Sequence, residues 1–297
     1  MGPTHRPTAR TGNLQPMSRH VAIVTDSTAY LPQRTVERHG ITSVPLTVVL
    51  DGRAWEEGTE ISARSLAQAL RKHQPVTTSR PSPAAFAQTY ARLAEAGASA
   101  IVSLHLTSEF SGTYDAAVQA AQDAPVPVRV VDTGMVAMAL GFCAVAAAEV
   151  VEGGGTAEEA VAAAEKRAAD TSAYFYVDTL DYLRRGGRIG AAQALLGSAF
   201  AVKPLLQLVD GRIELREKVR TASRAVARLE EIVAERAGSG PVDIAVHHLD
   251  AADRARTLAD NLRRRVSGLA ELQVSEVGAV IGAHTGPGLL GAVVSPR

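Results

Sequence analysis

Val21-Ala22-Ile23-Val24 runs directly into Thr25-Asp26-Ser27-Thr28. An uninterrupted apolar run that ends in a polar turn reads as a buried strand with its carboxyl end turned toward a site. The same pattern is expected at residues 100–104, followed by Thr107-Ser108, and at residues 128–131, followed by Asp132-Thr133. Helical signals lie between these runs. Ser62 can cap a helix reaching about His73, and Ser82 stands before Pro83 at a helix start that Gly97 closes. Another helix is expected from about Gly112. Residues 135–148 form an alanine-rich apolar helix holding Cys143, and Thr156-x-x-Glu159 is a capping box for the next. Residues 41–50 are extended, broken by Pro45 and turned by Asp51-Gly52. Alternating strands and helices imply a mostly parallel sheet flanked by helices. Ligands of such sheets bind beyond the carboxyl ends of the strands.

The later half reads differently. A strand at residues 174–177 precedes a short helix stopping at Gly186-Gly187. Asp210-Gly211 sits between two extended runs, a strong hairpin signal. Helices near residues 222–236 and 251–266 alternate with strands near 242–246, 272–277 and 292. The fold expected is α/β with two domains. Residues 20–170 form an N-terminal α/β domain with a mostly parallel sheet and flanking helices. Residues 171–297 form a C-terminal α+β domain with a mixed or antiparallel sheet. Residues 1–19 are expected to be a disordered tail.

Composition narrows the function. The chain has 297 residues, 46% hydrophobic and 21% charged, as in an ordinary globular protein. Its 31 Lys plus Arg balance 31 Asp plus Glu, and aromatics reach only 4%. That balance disfavours nucleic-acid binding, which needs a basic face and stacking rings. A single cysteine excludes an internal disulfide and fits the reducing cytoplasm. The N-terminal stretch has no apolar segment and is not a secretory signal. The longest apolar run falls short of the roughly 20 residues of a membrane span.

Four stretches could carry chemistry. Thr77-Thr78-Ser79-Arg80-Pro81-Ser82-Pro83 gathers hydroxyls ahead of a helix start, where free amides suit an anion. Taken alone, the stretch reads more readily as a solvated loop in which Ser82 simply caps. Ser108-Glu109-Phe110-Ser111-Gly112-Thr113-Tyr114 again brings hydroxyls to a strand-to-helix loop, with Ser111 placed to donate to an oxygen anion. In Gly278-Ala279-Val280-Ile281-Gly282-Ala283-His284-Thr285-Gly286, Val280 and Ile281 read as a buried strand presenting His284 on a glycine-rich loop. Arg184-Arg185-Gly186-Gly187-Arg188-Ile189 suits carboxylates or phosphates, or else an ordinary basic helix end.

Several enzyme readings fail. No P-loop and no G-x-S-x-G elbow occurs. Gly286-Pro287-Gly288-Leu289-Leu290-Gly291 matches a dinucleotide fingerprint but leaves no room for the helix that such a site requires. His247 and His248 are adjacent on a strand and point to opposite faces, which disfavours a metal site with Asp250. No metal or cofactor is expected. A serine hydrolase or acyltransferase using Ser111 and His284 stays open as the alternative.

Six motifs in order, Thr25-Asp26-Ser27-Thr28, Thr78-Ser79-x-Pro81-Ser82-Pro83, Ser111-Gly112-Thr113-Tyr114, Arg185-Gly186-Gly187-Arg188-Ile189, Lys203-Pro204-Leu205-Leu206 and Gly282-Ala283-His284-Thr285-Gly286-Pro287-Gly288, resemble the DegV family from about Val21 to Val294. The resemblance implies a long-chain fatty acid buried between two domains and presented to a separate fatty acid kinase. It implies that Thr78 and Ser111 bind the carboxylate, that His284 is the family's loop histidine, and that Arg188 serves the kinase partner or the phosphate. Ser79, Gly112, Thr113 and Thr285 belong to the same motifs as supporting positions. Two residues depart from the pattern: Arg80 stands where glutamine is usual, and Phe110 where leucine is common. The chain is then a cytoplasmic lipid carrier rather than an enzyme.

Overall fold

The computed structural model describes residues 20–195 and 203–297, so the tail expected over residues 1–19 lies outside the described residues. In chain order the first elements are β1 (Val21–Asp26), α1 (Gln33–His39), β2 (Thr42–Val44), β3 (Thr47–Leu50), β4 (Arg53–Glu56), α2 (Ala63–Arg71), β5 (Val76–Ser79) and α3 (Pro83–Glu95). Then come β6 (Ala100–His105), α4 (Thr113–Ala121), β7 (Val128–Asp132), α5 (Met138–Glu152) and α6 (Ala157–Asp170). The later half has β8 (Ser172–Tyr176), α7 (Asp181–Arg185), β9 (Lys203–Val209), β10 (Arg212–Val219), α8 (Ala222–Ala237), β11 (Val242–His248), α9 (Ala252–Arg265), β12 (Leu269–Glu276), α10 (Ala279–Thr285) and β13 (Leu290–Pro296).

β1 is wholly buried because both of its faces are covered. It lies in a four-stranded sheet, order β2-β1-β6-β7, in which every pair is parallel. Side chains alternate along a strand. Val21 and Ile23 therefore join a core with α5 and α6, while Ala22 and Val24 join another with Phe86 and Tyr90 of α3 and Ala117 of α4. Alanines at the helix contacts, Ala144, Ala147, Ala160 and Ala164, let α5 and α6 approach closely. Cys143 is buried among them, and burial pushes its thiol up to about 12, which suits a packing residue.

The later half builds a six-stranded mixed sheet, order β10-β9-β8-β13-β11-β12, with only β11 and β12 parallel. The hairpin between β9 and β10 turns at Asp210 and Gly211, both at positive φ (47° and 76°), as a tight two-residue turn demands. Leu229 and Ile232 of α8 and Leu258 and Leu262 of α9 cover one face. On the other face, Ala173, Ala245 and Val293 meet Met138 and Phe142 of α5. That helix thus packs against both sheets, and the space beside it becomes the cavity described below.

Two sequence expectations change. Thr77, Thr78 and Ser79 are not loop residues but lie in β5, which pairs antiparallel with β3 in a small β4-β3-β5 sheet. Val280 and Ile281 are not a strand: they lie in the short helix α10, and His284 sits in its last turn rather than in a loop. A short apolar run has no decisive period, and the flanking glycines fit either reading.

One buried polar chain fixes the loop that follows β6. Asp26 accepts from Leu106 N–H (3.0 Å) and from the backbone and hydroxyl of Thr28 (3.1 and 2.6 Å). Its other neighbour is His105 Nδ1 at 3.2 Å, and His105 Nε2 lies 2.8 Å from Ser103 Oγ, which accepts from the Tyr90 hydroxyl. The order Ser–His–Asp resembles a hydrolytic relay, but all three residues are fully buried. Its work is structural: it ties α3, β6 and β1 together and holds the start of the loop carrying Ser111. Removing one partner of such a buried set leaves the others uncompensated. Asp26→Ala should therefore cost about 3 kcal/mol in urea unfolding; a change below about 0.5 kcal/mol, the usual span of surface substitutions, would contradict this account.

Candidate functional site

A cavity of about 390 Å³ lies between the two larger sheets, within the usual range for small-molecule pockets. Its walls are mainly apolar, with Leu106 and Val136 from the first half and Phe175, Leu208, Ile213 and Val293 from the second. The floor is the inner face of the six-stranded sheet. There Gly291 pairs with Phe175 on one side and His247 on the other, so a strand position without a side chain leaves room above it.

Thr78, Ser79, Ser111, Gly112, Arg188, His284 and Thr285 all line this cavity. β5 alternates, so Thr78 is half-buried while its neighbours Thr77 and Ser79 are exposed. The Thr78 hydroxyl lies 2.8 Å from His284 Nε2, joining groups 206 residues apart. Ser111 and Thr113 share a hydroxyl hydrogen bond of 2.8 Å, with Thr113 buried at the first residue of α4. The Thr285 hydroxyl donates to Ile281 O within its own helix. Ser111 and His284 are thus not a hydrogen-bonded nucleophile and base.

Arg188 donates through Nε to Phe110 O (2.8 Å) and through a terminal nitrogen to Gly186 O. Its cation is thereby pinned between the Ser111 loop and the end of α7. Burial, and then the charge of Arg188, hold the His284 imidazole down to about 4. His284 is neutral at pH 7. Its Nδ1 is buried without a hydrogen-bond partner and lies against Gly186, where a Cβ would come within 2.1 Å of it. Gly186 has no unusual backbone angle, so this contact is what calls for a glycine.

Arg80 and Phe110, the two departures, also line the cavity. The Arg80 guanidinium lies over Gly112, where a Cβ would stand 2.2 Å from it. Phe110 supplies the carbonyl that pins Arg188. Sequence reasoning passed over His247 as a cavity residue. Its Nε2 accepts from Met138 N–H (3.2 Å) and its Nδ1 bonds Ser275 Oγ (3.0 Å). Burial, with His248 beside it, lowers its imidazole to about 4, so it too is neutral. Among the described residues, no group of three or more His, Cys, Asp or Glu could hold a metal ion. No helix among them is long and apolar enough to cross a membrane.

A family model described as an uncharacterised protein of the DegV family matches residues 20–297. A DegV domain-containing protein of Streptomyces coelicolor is 79% identical over 281 residues, 95% of this chain and 100% of that one. A solved DegV family protein from Thermus thermophilus, described by its fatty acid binding, superposes with a TM-score of 0.88 at 35% identity. It covers 94% of this chain and 100% of its own. DegV of Bacillus subtilis, described as a fatty acid binding protein, gives a TM-score of 0.87 at 34% identity, again over 94% of this chain and 100% of its own.

The depressed histidines set a pH dependence. In the unfolded chain both titrate near 6.5, but folded His284 and His247 stay neutral down to about 4. Between those values the unfolded state binds more protons, so stability falls as pH drops through that window. His284→Gln should flatten the fall by up to about 1.4 kcal/mol per pKa unit removed. Histidine NMR titration should show both rings neutral at pH 5.5; a protonated His284 there would refute the assignment.

Proposed function

The chain belongs to the DegV family, and on that premise we propose that it binds one long-chain fatty acid in the cavity between its sheets and presents the carboxyl group to a separate kinase. Residues 20–170 and 171–297 act as the two domains that enclose the ligand. The observation that carries the reading is the Thr78–His284 pair set in the wall of an otherwise apolar cavity. Each buried methylene is worth about 0.8 kcal/mol, so a sixteen-carbon tail gains on the order of 10 kcal/mol. The head group then needs only hydrogen bonds to replace lost water.

Thr78 and Ser111 supply those donors. His284 Nδ1 has no acceptor, so the neutral ring keeps its proton on Nε2 and donates it to Thr78 Oγ1. The Thr78 hydroxyl hydrogen is then free to point at a carboxylate oxygen. In the opposite tautomer Thr78 would spend its hydrogen on the ring and turn lone pairs to the anion. Arg188 adds a fixed positive charge and, close to the head group, serves the phosphorylated product or the partner. Thr113 and Gly112 shape the Ser111 loop, while Ser79 and Thr285 flank the site. The nucleotide sits on the partner, so this cytoplasmic chain is a carrier without a cofactor.

The hydrolase alternative needs Ser111 deprotonated by a histidine. The imidazole near 4 is a weak base at neutral pH, and its Nε2 is engaged by Thr78. Native mass spectrometry of purified protein should show a co-purifying fatty acid. Ser111→Ala and Thr78→Val should each weaken palmitate binding roughly tenfold, in line with lost hydrogen bonds to a charged group. A fluorophosphonate should leave Ser111 unlabelled. Protein that arrives empty and refuses palmitate would end the carrier reading, and covalent labelling of Ser111 would favour the hydrolase.

A further inference from the structure

Glu57 lies outside every motif considered so far and does not line the cavity, yet it is only 3% exposed. Its carboxylate accepts from the Ser27 hydroxyl (2.5 Å), the Tyr30 hydroxyl (3.1 Å) and the backbone N–H of Val280 (2.7 Å). Ser27 is itself fixed, because its oxygen accepts from Leu46 N–H (3.0 Å). The Tyr30 oxygen also lies 3.4 Å from Ile281 N–H. Burial raises the carboxyl of Glu57 above its ordinary range, and Asp26 adds to the push. Holding this charge therefore costs stability.

What that carboxylate grips is the start of α10. This helix has seven residues, too few to be stable alone, and its first amides have no partner within the helix. Glu57 and Tyr30 take two of them, and Gly278 permits it, since a Cβ there would stand 2.3 Å from the carboxylate. The far end of α10 carries His284, bonded to Thr78. Between them Gly282 lies against Leu66 of α2, where a Cβ would come within 2.6 Å. Residues of the first half thus hold this helix at its beginning, middle and end.

We propose that Glu57 is a positioning residue for the carboxylate site: by clamping the amino end of α10 to Ser27 and Tyr30, it keeps His284 against Thr78 and so sets recognition of the ligand's head group. The proposal rests on the fatty-acid reading. It separates head from tail, because Glu57 acts on the helix carrying the imidazole and not on the cavity walls.

The test compares Glu57→Gln and Glu57→Met with wild type, using palmitate and 1-hexadecanol, which has the same tail without a carboxylate. Glu57→Gln keeps one carbonyl oxygen for Val280 and Tyr30 and should bind palmitate within about threefold of wild type. Glu57→Met removes the acceptor at similar length and should lose at least tenfold for palmitate, with hexadecanol changed less than twofold. The His284 ring signals of the ligand-free protein should shift in Glu57→Met and hold in Glu57→Gln. Equal losses for both ligands, undiminished palmitate binding, or unmoved His284 signals in Glu57→Met would each overturn the proposal. Should Glu57→Met fail to fold, Tyr30→Phe removes a donor to the same carboxylate at nearly equal volume. A threefold, palmitate-selective loss there supports the clamp, and none overturns it. Wild-type protein that binds neither ligand sinks the carrier reading instead, while the His284 signals still judge the clamp.

Discussion

The hydrogen bond between Thr78 and His284 joins the two halves of the chain in the wall of an otherwise mainly apolar cavity. Much of the surrounding structure exists to hold its two ends. Thr78 faces inward because it lies in a strand, paired with Val48 of β3, and the alternation of β5 leaves it no other side. His284 is fixed by a helix too short to hold itself, by a glycine that lets its ring close on α7, and by Thr78. A cavity of about 390 Å³ loses packing contacts, so its rim must be held by directional bonds.

The polar residues that the fold buries divide into two kinds of work. Asp26, His105, Ser103 and Tyr90 form a fully buried hydrogen-bonded chain outside the cavity that holds Thr78 and His284, and it ties β1, β6 and α3 together. Its order of groups would suggest catalysis if it were open to solvent. Glu57 is different, since among the described residues its carboxylate is met by two hydroxyls and one backbone amide and by no cation. Such an arrangement gives direction rather than net stability. Arg188 works in the same way, tied to two carbonyls so that its cation stays beside the imidazole.

Much of the fold was legible in the residues. The run Val21-Ala22-Ile23-Val24, the cap at Ser82-Pro83, the capping box at Thr156 and Glu159, and the Asp210-Gly211 turn each carry a local signal strong enough to survive tertiary context. Thr78, Ser111, Arg188 and His284 stood out in the sequence too, and all four line one cavity. Less visible was how their side chains are presented. The hydroxyls before Ser82 belong to an edge strand, and Val280-Ile281 belong to a helix, because pairing with β3 and packing on α2 outweigh a weak local preference. Glu57 gave no signal at all: beside Glu56 and Gly58 it looks like part of a solvated charged turn.

The sequence by itself determined most of the strands and helices, though not α1, β4 or the states of residues 77–79 and 280–281, along with the parallel and mixed character of the two larger sheets and which hydroxyls and imidazole were worth watching. Periodicity, caps and turn residues act over a few positions, so they can be read along the chain. Only the tertiary structure decided that Thr78 meets His284, that Gly186 faces its ring and that a buried Glu57 holds the amino end of α10. Those contacts span long stretches of sequence, and their energies depend on burial and geometry that no local pattern encodes.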